Sequence, residues 1–96
     1  MRLRFTAQAR DQIAGIYDNI SRRSPTAANQ VVARIRLASA RLTEFPRMGR
    51  AGRAAGTHEW VVRGLPYVIV YEISMADPRE LLILGVFHAA QDRESE

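Results

Sequence analysis

Three polar residues at the ends of predicted strands are the best candidates for chemistry in this chain, Arg63, Tyr67 and His88. An arginine can bind phosphate or carboxylate through paired hydrogen bonds, a tyrosine can stack on a nucleobase, and a histidine can exchange a proton near neutral pH. Each also has a plainer interpretation. The arginine could cap a turn, the tyrosine could belong to the core, and the histidine could hydrogen-bond to backbone or to Asp92.

Other catalytic or metal-binding patterns find little support in the sequence. His58 and His88 have no clustered carboxylates beside them, and the chain has no cysteine, so we assign no metal and no cofactor. No Ser-His-Asp set or carboxylate pair is present. Tyr71 is interpreted as a core residue, and Trp60 as a core residue or a contact for a partner protein.

The candidate residues are positioned by a meander of three strands predicted between Thr57 and Phe87. Its apolar, β-branched runs are separated by Gly-Leu-Pro and Ala-Asp-Pro turn signals, and they cover Trp60–Val62, Tyr67–Ile73 and Leu81–Phe87. The last run is apolar on both faces, which is typical of a strand covered on both sides. Two helices can cover only one face. We therefore expect a tail, a second subunit or a partner chain on the other.

The first half of the chain predicts one strand and two helices. Arg2–Phe5 alternates polar and apolar residues, and Thr6 is a suitable cap for a helix that ends near Arg22. Ser24 and Pro25 signal a second helix that runs to about Glu44. Gly15 lies inside the first helix at a cost of about 1 kcal/mol relative to Ala, and we expect it to allow close packing against the second.

Charge is distributed unevenly along the chain. Residues 1–56 contain 11 Arg and three acidic residues, a net charge of +8, whereas residues 57–96 contain three Arg and seven acidic residues, a net charge of −4. A basic half suggests a face that meets an acidic partner or a nucleic acid. The segment from Arg47 to Gly56 fits either a flexible basic arm or an ordinary connection between helix and sheet.

Length and composition indicate one domain, residues 1–96, with a single core. The predicted fold class is α+β, in which an N-terminal strand precedes a helical hairpin packed on one face of a four-stranded, mostly antiparallel sheet. The sequence has no 18-residue apolar run and no secretory signal pattern, so we expect a cytoplasmic protein.

The order of landmarks resembles the RelE/ParE superfamily of toxins from type II toxin–antitoxin systems. The landmarks are Phe5-Thr6, Tyr17 and Ile20, then Pro46, Gly49 and Arg50, then Arg63 and the run Tyr67–Tyr71, and finally Val86-Phe87-His88 with Asp92-Arg93. The resemblance covers nearly the whole chain. The His-X-X-X-Asp-Arg ending and the Pro-X-X-Gly-Arg segment are more similar to the ParE side.

The resemblance implies a toxin that inhibits DNA gyrase and is neutralised by a ParD-like antitoxin with an acidic segment. Two alternatives are a RelE-like ribosome-dependent mRNA interferase, in which Arg63 and His88 would serve catalysis, and an inactive module that retains only the fold. The absence of Lys and of a C-terminal Arg/Tyr cluster favours the gyrase inhibitor over the mRNA interferase. The residues expected to contact partners are Arg34, Arg41, Arg50, Arg53, Trp60, Arg63, Tyr67, His88 and Arg93.

Overall fold

A computed structural model describes residues 1–90 of the chain. Its helices are α1 (Ala7–Ser21) and α2 (Pro25–Glu44), and its strands are β1 (Arg2–Phe5), β2 (Arg50–Ala51), β3 (Thr57–Val61), β4 (Tyr67–Ile73) and β5 (Glu80–His88). Neither helix of this part of the chain combines the length and the apolar character needed to cross a membrane.

Both helices begin at the predicted cap residues. The Thr6 hydroxyl oxygen accepts a hydrogen bond from the Ala9 N–H at 3.1 Å, and the Ser24 hydroxyl oxygen accepts one from the Ala27 N–H at 3.1 Å. These bonds satisfy N–H groups that have no partner within the first turn, and each contributes about 1 kcal/mol. The predicted start of each helix and the end of α2 at Glu44 are confirmed.

The strands form one sheet in the order β1-β5-β4-β3-β2. Strands β3, β4 and β5 make the predicted antiparallel meander. Strand β1, which precedes the helical hairpin, pairs in parallel with β5. The β4–β5 register shifts between Val70 and Tyr71. Tyr67 is paired with His88, so two of the candidate residues lie side by side at one end of the sheet.

The sheet has five strands rather than the four predicted from the sequence. The additional strand is β2, in which Arg50 pairs with Glu59 and Ala51 pairs with His58. A side chain at Gly49 would place its Cβ only 2.6 Å from the Tyr71 hydroxyl oxygen. The glycine therefore permits a close approach, and the basic segment is an ordered connection with its own strand.

The core lies between the sheet and the two helices. Ala9 and Ile13 of α1 and Ile35 and Leu42 of α2 are buried in it. The sheet contributes alternating residues, among them the pairs Ile69 and Tyr71, and Leu81 and Ile83. The core position predicted for Tyr71, which is fully buried, is confirmed.

The opposite face of the sheet carries the apolar residues that led us to expect a second cover. Leu82, Leu84 and Phe87 of β5 are half-buried there, and Val61 is 50% exposed. Ion pairs flank this strip, with Arg50 on the buried Glu59 at 3.2 Å and Arg4 on Glu80 at 3.3 Å. Both described helices lie on the other side, so the expectation of a cover stays a prediction.

Candidate partner-binding site

A groove between α2 and β3 gathers four of the residues predicted to bind partners. Its volume is about 340 Å³. We call it the α2–β3 groove, and its lining residues are Arg34, Leu37, Ala38, Arg41, Met48, Trp60, Val62 and Arg63. The α2 residues lie on one helical face because they are spaced by three, four and seven positions.

The α2–β3 groove combines an apolar floor with a basic rim. Leu37 is 61% exposed, while Val62, which lines the same groove, is buried. The Arg34 guanidinium donates to the backbone carbonyl of Arg63 and so joins helix to turn. The Arg41 guanidinium lies over the Phe45 ring, 5.9 Å from its centroid. Such a surface suits an amphipathic segment that carries carboxylates.

The wall of this groove that contains Met48 is held by a single buried tyrosine. The Tyr71 hydroxyl donates to the Pro46 carbonyl at 2.8 Å and accepts from the Gly49 N–H at 2.9 Å. Burial raises the pKa of the Tyr71 hydroxyl, and the Gly49 N–H bond only partly opposes that effect. His58 stacks on the same ring at 5.3 Å, with its Nδ1 buried and unpaired among the described residues.

A second recess, which we call the α1–β5 cleft, contains Tyr67 and His88, two further residues that were predicted to bind partners. Its volume is about 350 Å³. The full lining is Gln12, Gly15, Ile16, Asn19, Tyr67, Val86, Phe87 and His88. None of these side chains carries a formal charge at pH 7 when histidine is neutral.

Hydrogen bonds fix the orientation of two polar groups in the α1–β5 cleft. Gln12 Oε1 accepts from the Val86 N–H at 2.7 Å, and His88 Nδ1 accepts from the Ala90 N–H at 3.1 Å. The neutral His88 ring therefore carries its proton on Nε2. The Tyr67 ring meets the His88 ring edge-on, with centroids 5.6 Å apart. The predicted backbone anchoring of His88 is confirmed.

The remaining predicted contact residues lie elsewhere. Arg50 is engaged by Glu59 on the open face of the sheet, and Arg53 is exposed in the turn between β2 and β3. Arg93 lies outside the described residues. No group of three or more metal-binding side chains occurs within residues 1–90.

The sequence did not indicate three features that the fold creates. Leu37 gave no signal of its own, although its place on the same helical face as Arg34 and Arg41 could have marked it. Gln12 and Asn19 gave no signal, because a lone carboxamide on a helix is common. Gly15 was expected to sit against α2, but a Cβ placed there would meet no atom within 4 Å. That expectation is wrong, and Gly15 instead forms part of the cleft wall.

Residues 3–93 match the family model of the ParE toxin of type II toxin–antitoxin systems. The chain belongs to the ParE toxin family. It is also 42% identical over 90 residues to Y4kP of Sinorhizobium fredii, a protein named as a candidate toxin, and this match covers 94% of the chain and 90% of the relative. The resemblance inferred from the order of sequence landmarks is therefore confirmed.

Solved structures share the fold of this ParE family member. A chain of the chromosomal ParDE system of Pseudomonas aeruginosa matches with a TM-score of 0.79 and 21% identity, over 92% of this chain and 95% of the other. A chain of the RelBE2 toxin–antitoxin complex of Mycobacterium tuberculosis matches with a TM-score of 0.59 and 24% identity, over 91% and 88%. The α+β architecture is thus common to toxins from both branches.

Proposed function

We propose that this toxin inhibits DNA gyrase by binding it, without catalysing a reaction of its own, and that a cognate antitoxin neutralises it. The observation that carries the proposal is that Arg63 and His88 border different recesses. Arg63 lines the α2–β3 groove and His88 lines the α1–β5 cleft. Cleavage of RNA needs a proton acceptor, a proton donor and a cation around one phosphate. Arg63 and His88 face no recess in common, and the ParE family model supports the same branch.

The antitoxin belongs, in this proposal, in the α2–β3 groove. Arg34, Arg41 and Arg63 supply three cations around the exposed Leu37. An acidic amphipathic segment would cover Leu37 with an apolar side chain and place carboxylates against the arginines. Burying a leucine contributes about 1.5–3 kcal/mol. Surface ion pairs contribute less and mainly set orientation and association rate. Solved toxin–antitoxin complexes of the same fold support a partner of this kind.

Plasmid supercoiling by purified gyrase tests the target. Excess toxin is expected to inhibit supercoiling, and prior addition of the antitoxin is expected to restore it. Because gyrase acts in the cytoplasm, the proposal includes a cytoplasmic location. Complete supercoiling at saturating toxin would reject gyrase as the target.

An mRNA interferase is the second candidate, and the contact between Tyr67 and His88 is what favours it. If it were correct, ribosome-bound mRNA would be cut, and His88→Ala and Arg63→Ala would each lower the rate about 100-fold or more. The third reading, an inactive binding module, predicts normal growth when the toxin is expressed without its antitoxin.

A further inference from the structure

We propose that the α1–β5 cleft is the surface through which this toxin engages its target protein, by receiving one apolar side chain and the adjoining backbone of an uncharged segment. The inference rests on part of the proposed function, namely that the target is a protein. It does not depend on that protein being gyrase.

Gly15 is the first observation that points to an occupant. Glycine inside a helix costs about 1 kcal/mol relative to alanine, and its backbone here does not have the positive φ found at Gly56 and Gly64. Nothing within residues 1–90 lies within 4 Å of the position of a Cβ. The described fold therefore gains nothing from this glycine, whereas the missing side chain leaves a notch in the wall of the cleft.

The charge of the lining is the second observation. One quarter of the residues of this protein are charged, yet the eight residues that line the cleft within residues 1–90 include none. A carboxylate or phosphate group would find no cation among these residues. The arginines at the α2–β3 groove would bind either group better. A neutral partner segment fits the cleft better than the acidic antitoxin does.

The hydrogen-bonding groups of the cleft indicate which groups the partner segment must present. Gln12 offers amide donors, because its oxygen is occupied by the Val86 N–H. His88 offers Nε2–H, because its Nδ1 accepts from Ala90. Asn19 offers both a donor and an acceptor. A peptide backbone, with alternating C=O and N–H groups, satisfies such a mixed set without carrying charge.

The apolar residues of the lining are the reason to expect one apolar side chain of the partner in the cleft. Ile16 belongs to the partly buried residues that pack on the core, and Val86 is 1% exposed. Because Val86 is almost inaccessible, Ile16 and the notch at Gly15 supply the apolar surface inside the cleft. The volume of about 350 Å³ suits one large side chain and its neighbouring backbone rather than a folded element.

The α1–β5 cleft and the α2–β3 groove share no lining residue. Target binding and antitoxin binding can therefore be altered separately. Filling the notch is the direct way to do so, because Gly15→Leu adds a side chain to open space and removes a helix-destabilising residue. Ala7→Leu is the matched control, since it adds the same side chain to an exposed position of α1 that lines neither recess.

The experiment measures growth arrest on induction of the full-length toxin, affinity of the purified toxin for its antitoxin, and thermal unfolding. Gly15→Leu is expected to abolish growth arrest, or to require at least 10-fold more toxin for it, while antitoxin affinity stays within 2-fold and the melting temperature does not fall. Gly15→Ala should show a smaller loss. Ala7→Leu should behave as the wild type does.

Each alternative result has a distinct meaning. Equal growth arrest by Gly15→Leu and wild type overturns the inference, as does a variant that loses antitoxin affinity but keeps toxicity. Loss of ribosome-dependent mRNA cleavage in Gly15→Leu would assign the cleft to nucleic acid and also overturn it. Growth arrest by the wild type without inhibition of gyrase rejects only the gyrase proposal. A wild-type toxin that does not arrest growth would contradict both.

Discussion

The α2–β3 groove and the α1–β5 cleft are recesses of nearly equal size on one small protein, yet their chemistry differs. The groove is bordered by three arginines and exposes 61% of Leu37. The cleft, as lined by residues 1–90, contains carboxamides, a tyrosine and a histidine and no formally charged side chain. Charge selects an acidic partner for the groove and gives the cleft no such preference. A toxin that must bind both an inhibitor and a target can use this difference to keep the two surfaces distinct.

The comparison also shows how each recess is held in shape. Helix α2 forms one wall of the groove, and the segment anchored by Tyr71 contributes Met48. The cleft instead lies between two regular elements, α1 and β5, that Gln12 joins by accepting from the Val86 N–H. Each recess is therefore braced by side-chain hydrogen bonds, those of Tyr71 at the groove and that of Gln12 at the cleft.

The largest expected effect is on antitoxin affinity. Leu37→Asp removes the central apolar contact and places a carboxylate before an acidic segment, so affinity should fall by about 100-fold or more. Isothermal titration checks this, with Met75→Asp as the control, because Met75 is 95% exposed in the β4–β5 turn and lines neither recess. Unchanged affinity in Leu37→Asp would show that the antitoxin binds elsewhere.

Tyr71→Phe should weaken the groove and spare the cleft. It leaves the Pro46 carbonyl and the Gly49 N–H without their partner, which should lower the free energy of unfolding by about 1–3 kcal/mol. Urea unfolding measures the change, and Tyr17→Phe is the control, since no hydrogen bond of the Tyr17 hydroxyl is found in residues 1–90. A loss equal to that of the control would remove the anchoring role.

The raised pKa of Tyr71 adds a dependence on pH to the same experiment. In the unfolded chain the hydroxyl ionises around the ordinary value of 10.0, whereas in the folded protein it stays protonated to higher pH. The stability it contributes is thus complete below pH 10.0 and is lost as the pH rises through the folded-state pKa. Tyr71→Phe should lose stability less steeply than wild type above that pH.

Arg41→Ala should reduce antitoxin affinity by about 3–10-fold, because a rim charge contributes less than a buried apolar contact. The salt dependence of binding should become shallower at the same time. Titrations at two salt concentrations measure both quantities, and Arg22→Ala, an exposed arginine just after α1, serves as the control. An identical salt dependence in Arg41→Ala and wild type would contradict an electrostatic role for the rim.

The smallest expected effect is on stability at the cleft. Gly15→Ala should raise the free energy of unfolding by about 0.5–1 kcal/mol, because the new methyl group meets no atom of residues 1–90. Gly64→Ala is the opposite control, since its φ of 78° disfavours any side chain and should destabilise the protein. A loss of stability in Gly15→Ala would mean that the fold itself requires this glycine.

Local signals in the sequence predicted most of the fold. Thr6 and Ser24 mark the helix starts, and the alternation from Tyr67 to Tyr71 divides the residues of β4 between its two faces. Strand β2 was missed because two residues between glycines carry no periodic pattern, and its pairing depends on contacts with Glu59 and His58 across the turn that follows it.

Half of the residues that line the groove were predicted from the sequence, but only Tyr67 and His88 of the cleft were. Arg34, Arg41, Trp60 and Arg63 were selected for charge or aromatic character, and the fold brings all four to one groove. The rest of the cleft is made of residues that are ordinary one by one, such as Gln12 and Asn19, and it lies between α1 and the end of β5. Arg63 and His88 border different recesses because they lie at the ends of β3 and β5, which flank β4 on opposite sides.

The most direct test of this account is the affinity of the cognate antitoxin for wild-type toxin, Leu37→Asp and Gly15→Leu, measured side by side. The account predicts a loss of about 100-fold in Leu37→Asp and a change of less than 2-fold in Gly15→Leu. The reverse pattern, with affinity lost in Gly15→Leu and retained in Leu37→Asp, would contradict it.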